Sequence, residues 1–470
     1  MQKAKLGINF GFRGWMLLLA EATAFLMFQA FSNFPMNMLA DFYGGAQTLS
    51  TMYTVGTLVG IVIQLILSTF IGKVKSVKAL TLLMGCITII AAVGVMFIAP
   101  GTLWMVAYFV FNVFSIIYGM FGLGILIGQW FPTRKGVFMG IATFAFPICN
   151  GLMGPFAGWV NIGPAMGVTM APLAQGGYPD FAAGFQVLNV TGAFLPFLAA
   201  GVIGWLFILV FLKDYPELVG AYRDNDKDLT PEIANAMMQQ EIENKKTTVW
   251  KTGKTLSTAQ FWLITIPMGA LLMCSVGMMT QTSSIIGAYF TGDAYDQAFS
   301  IIMALVMVCA LVGSYILGLI DAAFGSKRAV TISVVVMLLS GILGGIGQLY
   351  TTVAAIILVA IFMGAASNFT VSAAAQYWRR EDFPSVFACV NPFANVIQAL
   401  GPFMVAMTLN MGVTEIGQVN ATMPFWAVAI VAAISLLLVI FFQPAKVKAK
   451  DDALRQAAGK PLDDALVGRK

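Results

Sequence analysis

Long apolar segments constrain the fold of this chain more than any other feature of its sequence. Each has roughly 20 or more mostly apolar residues, the length that an α-helix needs to cross a bilayer. There are twelve, with approximate limits 15–39, 48–71, 79–99, 103–129, 136–160, 187–212, 257–289, 298–320, 329–349, 352–377, 384–410 and 421–442. The sequence therefore predicts an all-α membrane protein with twelve transmembrane helices.

The composition excludes a soluble globular protein. Hydrophobic residues make up 59% of the 470 residues and charged residues only 10%, against roughly 45–50% and about 25% in a soluble domain. We see no cleavable signal peptide. The five cysteines lie in apolar segments without metal-ligand spacing. Because the chain has no histidine, histidine-based catalysis, metal binding and proton relay are excluded. We expect no metal and no cofactor.

The positive charges predict the orientation in the membrane. In a twelve-helix arrangement all 26 Lys and Arg residues fall on one side, which the positive-inside bias assigns to the cytoplasm. The opposite loops carry only acids, namely Asp41, Asp180, Asp293, Asp296 and Glu415. We therefore expect both termini in the cytoplasm and a location in the cytoplasmic (inner) membrane of a prokaryote. The net charge of +5 is then explained by topology and lipid contact, without a nucleic-acid partner.

An internal repeat divides the chain into two similar halves. Residues 128–156 read GQWFPTRKGVFMGIATFAFPICNGLMGPF, and residues 375–403 read AQYWRREDFPSVFACVNPFANVIQALGPF. Both copies have Gln and aromatic residues, then two cations, then an apolar run that ends in Gly-Pro-Phe. The cations are Arg134 and Lys135 in the first copy and Arg379 and Arg380 in the second.

The repeat predicts a six-helix half at each end of the chain. The halves cover residues 1–212 and 257–442, and residues 213–256 connect them on the cytoplasmic side. This connection mixes charges, so we interpret it as a solvated tether, with a regulatory role as the alternative. The charged tail, residues 443–470, is expected to be loose.

A second repeated turn carries a family resemblance. Residues 318–328, GLIDAAFGSKR, join the eighth and ninth spans and correspond to residues 68–78 in the first half. The later copy resembles the signature of the major facilitator superfamily, whereas the earlier copy has Ile71 and Lys75 in place of the aspartate and the second glycine. The turn at residues 130–136, WFPTRKG, is similar to that of the oxalate–formate antiporter and monocarboxylate transporter group.

The resemblance extends over nearly the whole chain and implies transport by alternating access. Two halves would rock about a site near the bilayer midplane. An aspartate at a helix end, here Asp321, would face the cations of its turn as a cytoplasmic latch. A passive turn is the alternative. Gating residues would then be Asp321, Arg134, Arg379 and Arg380.

Polar side chains inside the spans are the candidates for substrate binding, because such groups are costly in hydrocarbon and tend to face a cavity. Gln29, Asn33 and Asn37 recur every four residues, and Asn391, Asn395 and Gln398 lie within an arc of about 60° on a helix. Asn150, Gln281 and Asn368 complete the set. Hydrogen bonding between helices is the alternative role for each amide. For the two stripes together we expect a cavity lining.

Glu21 is the one ionisable residue well inside a span. It is a candidate for proton coupling, since its charged form is costly in hydrocarbon. The alternative is a structural acid that pairs with Arg13 or Arg134. Both hypotheses stay open at this point.

The absence of certain cations bears on the substrate. In the resembled group, transporters of small dianions place cations in the eighth and eleventh spans, where this chain has no Lys or Arg. We expect a monocarboxylate or a larger amphipathic or aromatic acid, carried by antiport or proton symport by a monomer in the lipid bilayer. A ligand sensor or a transporter of a neutral amphipathic solute is the alternative. An enzyme is not expected, because Glu21 has no catalytic partner.

Overall fold

Helices form all the regular structure that the computed structural model describes. It describes residues 9–39, 43, 46–71, 74–132, 134–152, 190–226, 228–246, 248–290, 293–379, 382–412, 419–460 and 462. The helices of the first half are α1 (Gly11–Met38), α2 (Ala46–Phe70), α3 (Val77–Phe97), α4 (Thr102–Trp130), α5 (Lys135–Ala142), α6 (Ala145–Gly151) and α7 (Val190–Phe211).

The connection and the second half are also helical. The connection holds two 3₁₀ turns (Pro216–Val219 and Arg223–Asn225), α8 (Pro231–Lys246) and α9 (Thr252–Leu256). The second half has α10 (Ala259–Thr280), α11 (Thr282–Gly287), α12 (Asp293–Phe324), α13 (Ser326–Gly345), α14 (Leu349–Tyr377), α15 (Phe383–Ala399), α16 (Gly401–Leu409) and α17 (Met423–Phe441). The tail forms α18 (Pro444–Ala457).

The helix lengths agree with a multi-pass membrane protein. Within the described ranges, eleven helices are long and apolar enough to cross a membrane. The fifth predicted span is only partly described, as the short helices α5 and α6, and its end at 153–160 lies outside the described residues. Thr143 and Phe144 separate α5 from α6. Pro147 lies in the first turn of α6, where its missing N–H is tolerated. The twelve-helix count stays a prediction.

The two halves contact each other through several helix pairs. Helix α2 packs on α15, and α12 packs on α5 and α6, while α14 also reaches α5. Within the second half, α10 approaches the junction of α15 and α16 very closely. A Cβ atom at Gly401 would lie 2.2 Å from the backbone oxygen of Met273. The glycine of the second Gly-Pro-Phe motif is thus required by a helix–helix contact.

Helix α4 changes its hydrogen-bonding pattern in the middle. Residues Ile117–Leu123 form a π-helical segment between two α-helical parts. This segment packs on α1 and α3, and Gly119 lies beside the ring of Phe25 in α1. Such π segments are rare and occur frequently at functional sites.

Two lysines join helices at the end of the bundle that carries the Lys- and Arg-rich turns, which we call the basic end. The Lys78 ammonium donates to the carbonyl oxygens of Leu209 and Leu212, each at 2.8 Å. The Lys327 ammonium donates to the carbonyl oxygen of Phe442 at 2.7 Å. Each lysine thus caps the carboxyl end of a helix, α7 or α17, where cations are favoured.

Parts of the connection are packed rather than solvated, so the interpretation as a solvated tether is wrong around Arg223 and Trp250. Arg223 is buried and pairs with Glu217 and with Glu241. Burial disfavours its charge, but the two carboxylates more than offset this and raise the pKa of Arg223. Trp250 is fully buried and donates to Asp451 at 2.8 Å.

The tail also packs on the second half, so the expectation of a loose tail is wrong for residues 444–460. The guanidinium of Arg455 pairs with Asp382 at 2.5 Å and with Asp451 at 3.2 Å. Thr248 donates to the same Asp382 at 2.6 Å. Asp451 and Arg455 of the tail thus belong to a buried ion-pair cluster, whose partner Asp382 lies far away in the chain.

Candidate functional site

Glu21 is completely buried in α1. Neither carboxylate oxygen has a hydrogen-bond partner among the residues that the structure describes. The two cations considered for it bind elsewhere, since Arg13 donates to the carbonyl oxygen of Phe211 and Arg134 to that of Asn9. The alternative of a structural ion pair is therefore wrong in this structure, and Glu21 is an unpartnered acid in the first half.

Tyr118 is the polar neighbour that the sequence analysis missed. It belongs to the π segment of α4, lies within electrostatic range of Glu21, and is itself buried. Its hydroxyl also lacks a partner in the described part of the chain. A buried carboxyl and a buried phenol without partners are costly to retain, which is typical of a functional site.

Amides of the first half form a bridge to the second half. The side chain of Gln29 donates to Asn150 at 2.9 Å, and Asn150 in turn contacts the sulfur of Met363 at 3.5 Å. Asn33 is buried on the same helix as Gln29, and the side chain of Asn37 lies outside the described residues. The structure thus brings Gln29 and Asn150 together at the boundary between the halves.

Asn368, in the second half, makes a similar contact with the first half. Its side-chain oxygen lies 3.5 Å from the hydroxyl of Thr143, which donates from the junction of α5 and α6. Thr143 carries no distinctive sequence signal, because threonines are common in membrane helices. The two bridges place α14 against α5 and α6 through polar side chains.

The amides of α15 form one stripe that faces the first half. Phe387 of this helix contacts Gly124 of α4, and Asn391, Asn395 and Gln398 follow at helical spacings that keep them on the same face. All three are buried. Tyr53 of α2 lies beside Gln398.

These three amides are mostly unpartnered. Asn391 accepts from Thr370 at 3.5 Å, but its amide nitrogen has no partner among the described residues. The same holds for both amide atoms of Asn395 and for the oxygen of Gln398. Free amide groups in a buried stripe can bind a polar solute, since each nitrogen donates two hydrogen bonds.

Gln281 is set apart from the other predicted residues. It lies at the break between α10 and α11 and accepts from Ser284 at 3.5 Å. No hydrogen bond in the described ranges joins it to the other amides. Its position marks the interruption between these two helices.

Asp321 ties three helices of the second half together. It is buried at the end of α12 and accepts from Ser326 at 2.6 Å and from Ser372. The expected cationic partners in its turn are not among its contacts in the part of the chain that the structure describes. The turn itself is fixed by Gly325, whose φ of +90° suits glycine, and a gating role stays a prediction.

The other predicted gating residues contact the connection and the tail. The backbone N–H of Arg134 donates to Asp224 at 3.2 Å. Arg379 pairs with Asp451 of the tail at 2.7 Å and with Asp452 at 3.4 Å. Arg380 lies outside the described residues.

The end of α14 explains the Gln and aromatic residues of the repeat. The side chain of Gln376 accepts from the N–H of Ser326 at 2.7 Å, and the hydroxyl of Tyr377 accepts from the N–H of Lys327 at 2.6 Å. The first N–H groups of a helix lack internal partners. The motif thus caps the start of α13 from a neighbouring helix.

Comparisons with known proteins agree with this architecture. Residues 268–468 match the family model for the Major Facilitator Superfamily. A comparison with curated protein sequences gives no match.

Three solved structures are similar to the chain over most of its length. FucP, a major facilitator superfamily transporter in the outward conformation, has 13% identity and a TM-score of 0.60, with 93% of this chain and 99% of FucP covered. The human organic anion transporter MFSD10 (TETRAN) has 11% identity and a TM-score of 0.61, with 91% and 98% covered. The proton:xylose symporter XylE, bound to 6-bromo-6-deoxy-D-glucose, has 13% identity and a TM-score of 0.64, with 92% and 96% covered.

The chain therefore has the all-helical major facilitator fold and is a multi-pass membrane protein. The matched family and these three proteins are transporters, which are not enzymes.

Proposed function

We propose that the protein is a secondary active transporter that moves a small organic anion by alternating access. The observation that carries this proposal is the buried stripe on α15, where the amide nitrogens of Asn391 and Asn395 lack partners among the described residues. Unpaired N–H donors suit an acceptor such as a carboxylate. The stripe faces the first half, so a solute bound there would contact both halves.

The charge pattern supports a monocarboxylate or a larger amphipathic or aromatic acid. Helices α12, α15 and α16 contain no Lys or Arg, so a compact dianion would meet no fixed counter-charge from these helices. The similar structure MFSD10 is described as an organic anion transporter. A neutral polar solute is the second candidate, because amides also bind hydroxyls and the similar structure XylE is a xylose symporter.

The orientation follows from the positive charges. We assign the basic end, and with it both termini, to the cytoplasm of a prokaryotic cell. The halves are then residues 1–212 and 257–442, with Asp321, Arg134, Arg379 and Arg380 near the cytoplasmic end as gating residues. The working unit is a monomer.

Coupling is assigned to Glu21. It is buried, unpartnered and next to the π segment of α4. A carboxyl group in such a place can be neutral in one conformation and charged in another that admits water. This supports proton symport. A variant of Glu21 that retains only the exchange of substrate for substrate would operate by antiport.

Uptake into proteoliposomes tests the transport function. Purified protein is reconstituted and offered radiolabelled formate, lactate, benzoate and xylose, with and without an inward proton gradient. We expect accumulation of at least one carboxylate and little uptake of xylose. Uptake of xylose alone would replace the anion proposal with the neutral one, and uptake of none would contradict both.

Glu21→Gln tests the coupling role, with Glu232→Gln in the exposed part of α8 as the matched control. Glutamine keeps the shape but cannot titrate, so the variant should lose its response to the proton gradient and retain exchange of substrate for substrate. The control should behave like the wild type. An intact gradient response in Glu21→Gln at normal abundance would show that the proton does not pass through this residue.

A further inference from the structure

Gln64 of α2 is a buried amide to which the proposed transport mechanism assigns no role. Its side chain is completely buried, and neither its amide oxygen nor its amide nitrogen has a hydrogen-bond partner among the residues that the structure describes. A glutamine that only joined membrane helices would bind a neighbouring helix. Because an amide buried without partners is costly to retain, Gln64 needs another explanation.

Gln64 lies on the side of α2 that faces the interior of the protein. Val55, Val59 and Val62 are exposed, and at about 100° per residue they lie on the opposite side of the helix. One turn before Gln64, α2 packs closely on α4, since a Cβ atom at Gly60 would lie 2.8 Å from the backbone oxygen of Val113. The side chain of Gln64 therefore projects into the bundle and away from lipid.

The same side of α2 reaches the amide stripe of α15. Tyr53 lies beside Gln398, and the hydroxyl of Thr54 donates to the carbonyl oxygen of Ala399 at 3.3 Å. Gln64 follows Tyr53 by about three full turns of helix, so the two residues share one face. This face of the first half is thus turned toward the candidate binding stripe of the second half.

Polar groups on the two helices run alongside each other. Helix α2 ends toward the basic end and α15 begins there, so the helices are antiparallel. The run from Tyr53 to Gln64 therefore lies along the stripe from Gln398 back to Asn391. At 1.5 Å per residue this stripe spans about 10 Å, enough for a solute that is several carbons long.

The unpartnered atoms include acceptors as well as donors. Gln64 and Asn395 each leave an amide oxygen and an amide nitrogen without a partner in the described part of the chain. Exchanging the oxygen and nitrogen of either amide does not alter this count. The nitrogens suit a carboxylate, which only accepts hydrogen bonds, whereas the oxygens need a donor. A carboxylate without other polar groups would leave both oxygens unsatisfied.

We propose that Gln64 completes the binding site from the first half, and that the site selects a carboxylate that also carries hydroxyl groups along its chain. The inference rests on the proposed transport of an organic anion and narrows the class of substrate. The amide nitrogen of Asn391 binds the carboxylate, and the amide oxygens of Gln64 and Asn395 accept from the hydroxyls. Because these two oxygens belong to different halves, a hydroxylated acid bridges the halves.

Three linear six-carbon compounds separate the contributions of carboxylate and hydroxyl groups. Gluconate has both, hexanoate has only the carboxylate, and sorbitol has only hydroxyls. Initial rates of radiolabelled uptake into proteoliposomes give kcat/KM for each compound. The wild type should prefer gluconate over hexanoate by about tenfold or more, because hexanoate leaves buried amide oxygens without a donor. Gluconate should also exceed sorbitol, since hydrogen bonds to a carboxylate are stronger.

Two variants remove one amide from each half with little change in size, namely Gln64→Met and Asn395→Leu. Each should reduce the preference for gluconate over hexanoate by about fivefold or more, because the oxygen that hexanoate leaves unsatisfied is gone. Gln297→Met, at an exposed position of α12, is the matched control and should keep the wild-type preference. A residue needed only for packing would lower uptake of both acids alike and leave the ratio unchanged.

Equal uptake of hexanoate and gluconate by the wild type would overturn the inference while leaving the proposed transport of anions intact. An unchanged ratio in both variants at normal abundance would also overturn it. If one variant does not accumulate in the membrane, the variant from the other half decides, and if neither does, the wild-type ratio decides. Uptake of sorbitol alone would contradict the proposed anion function itself, and with it this inference.

Discussion

Gly401→Ala tests whether the contact between α10 and the α15–α16 junction sets the geometry of the amide stripe. The added Cβ would lie 2.2 Å from the backbone oxygen of Met273 and 3.0 Å from the backbone nitrogen of Gly277. Both neighbours are backbone, so no side chain can turn away. The helices must separate, by about 1 Å if an ordinary carbon–oxygen contact is to be restored.

The expected cost follows from two opposing effects. Overpacking of this kind destabilises proteins by about 1–3 kcal/mol, and the better helix propensity of alanine returns up to about 1 kcal/mol. We expect a net loss of about 1–2 kcal/mol. Gln398 lies three residues before Gly401, so the displacement also reaches the candidate binding stripe and should lower the transport rate.

Thermal unfolding in detergent at one scan rate measures this effect. The matched control is Gly318→Ala in α12, where an added Cβ meets no atom within 4 Å. The control should melt at or slightly above the wild-type temperature, and Gly401→Ala clearly below it. If Gly401→Ala melts with the control, the close approach of the two helices is not a constraint and the reasoning is refuted.

Three further outcomes are expected. Asp321→Asn should slow transport at normal surface abundance, because it weakens the bonds to two serine hydroxyls, and an unchanged rate would indicate a passive turn. Arg455→Ala should expose the tail to protease and cost about 3–5 kcal/mol locally, since it removes the cation that pairs with buried Asp382 and Asp451, and a double variant with Asp382→Asn should recover part of the loss. A cysteine at Gly176 should react with an impermeant thiol reagent from outside; reaction only after permeabilisation would contradict the twelve-helix topology.

The sequence predicted the helices well because bilayer thickness imposes a length that any apolar run reveals. The first span was predicted as 15–39 and is observed as Gly11–Met38. The sequence also indicated that Gln29 and Asn150 are functional candidates. That these two amides bind each other at 2.9 Å could not be predicted, because their distance depends on how distant helices pack.

The errors have a common physical cause. The charges of the connection and the tail suggested solvent exposure, but Arg223 and Arg455 bury their guanidinium groups against carboxylates. The sequence shows which charged side chains must be neutralised, but not which residues neutralise them. The contact between the Lys135 ammonium and the ring of Phe383, 3.1 Å from the ring centroid, was missed for the same reason, because the ring lies in the other half of the chain.

Lys78 and Lys327 connect the biogenesis of the protein with its final packing. By the positive-inside bias, we expect each charge to favour a cytoplasmic location for its turn during insertion. In the folded protein the same ammonium groups bind carbonyl groups at the carboxyl ends of α7 and α17. Arginine at either position would retain the charge, but not the compact ammonium that donates to Leu209 and Leu212 or to Ile440 and Phe442. We therefore expect orientation to depend on the charge of these two side chains, and helix packing to depend on their hydrogen bonds.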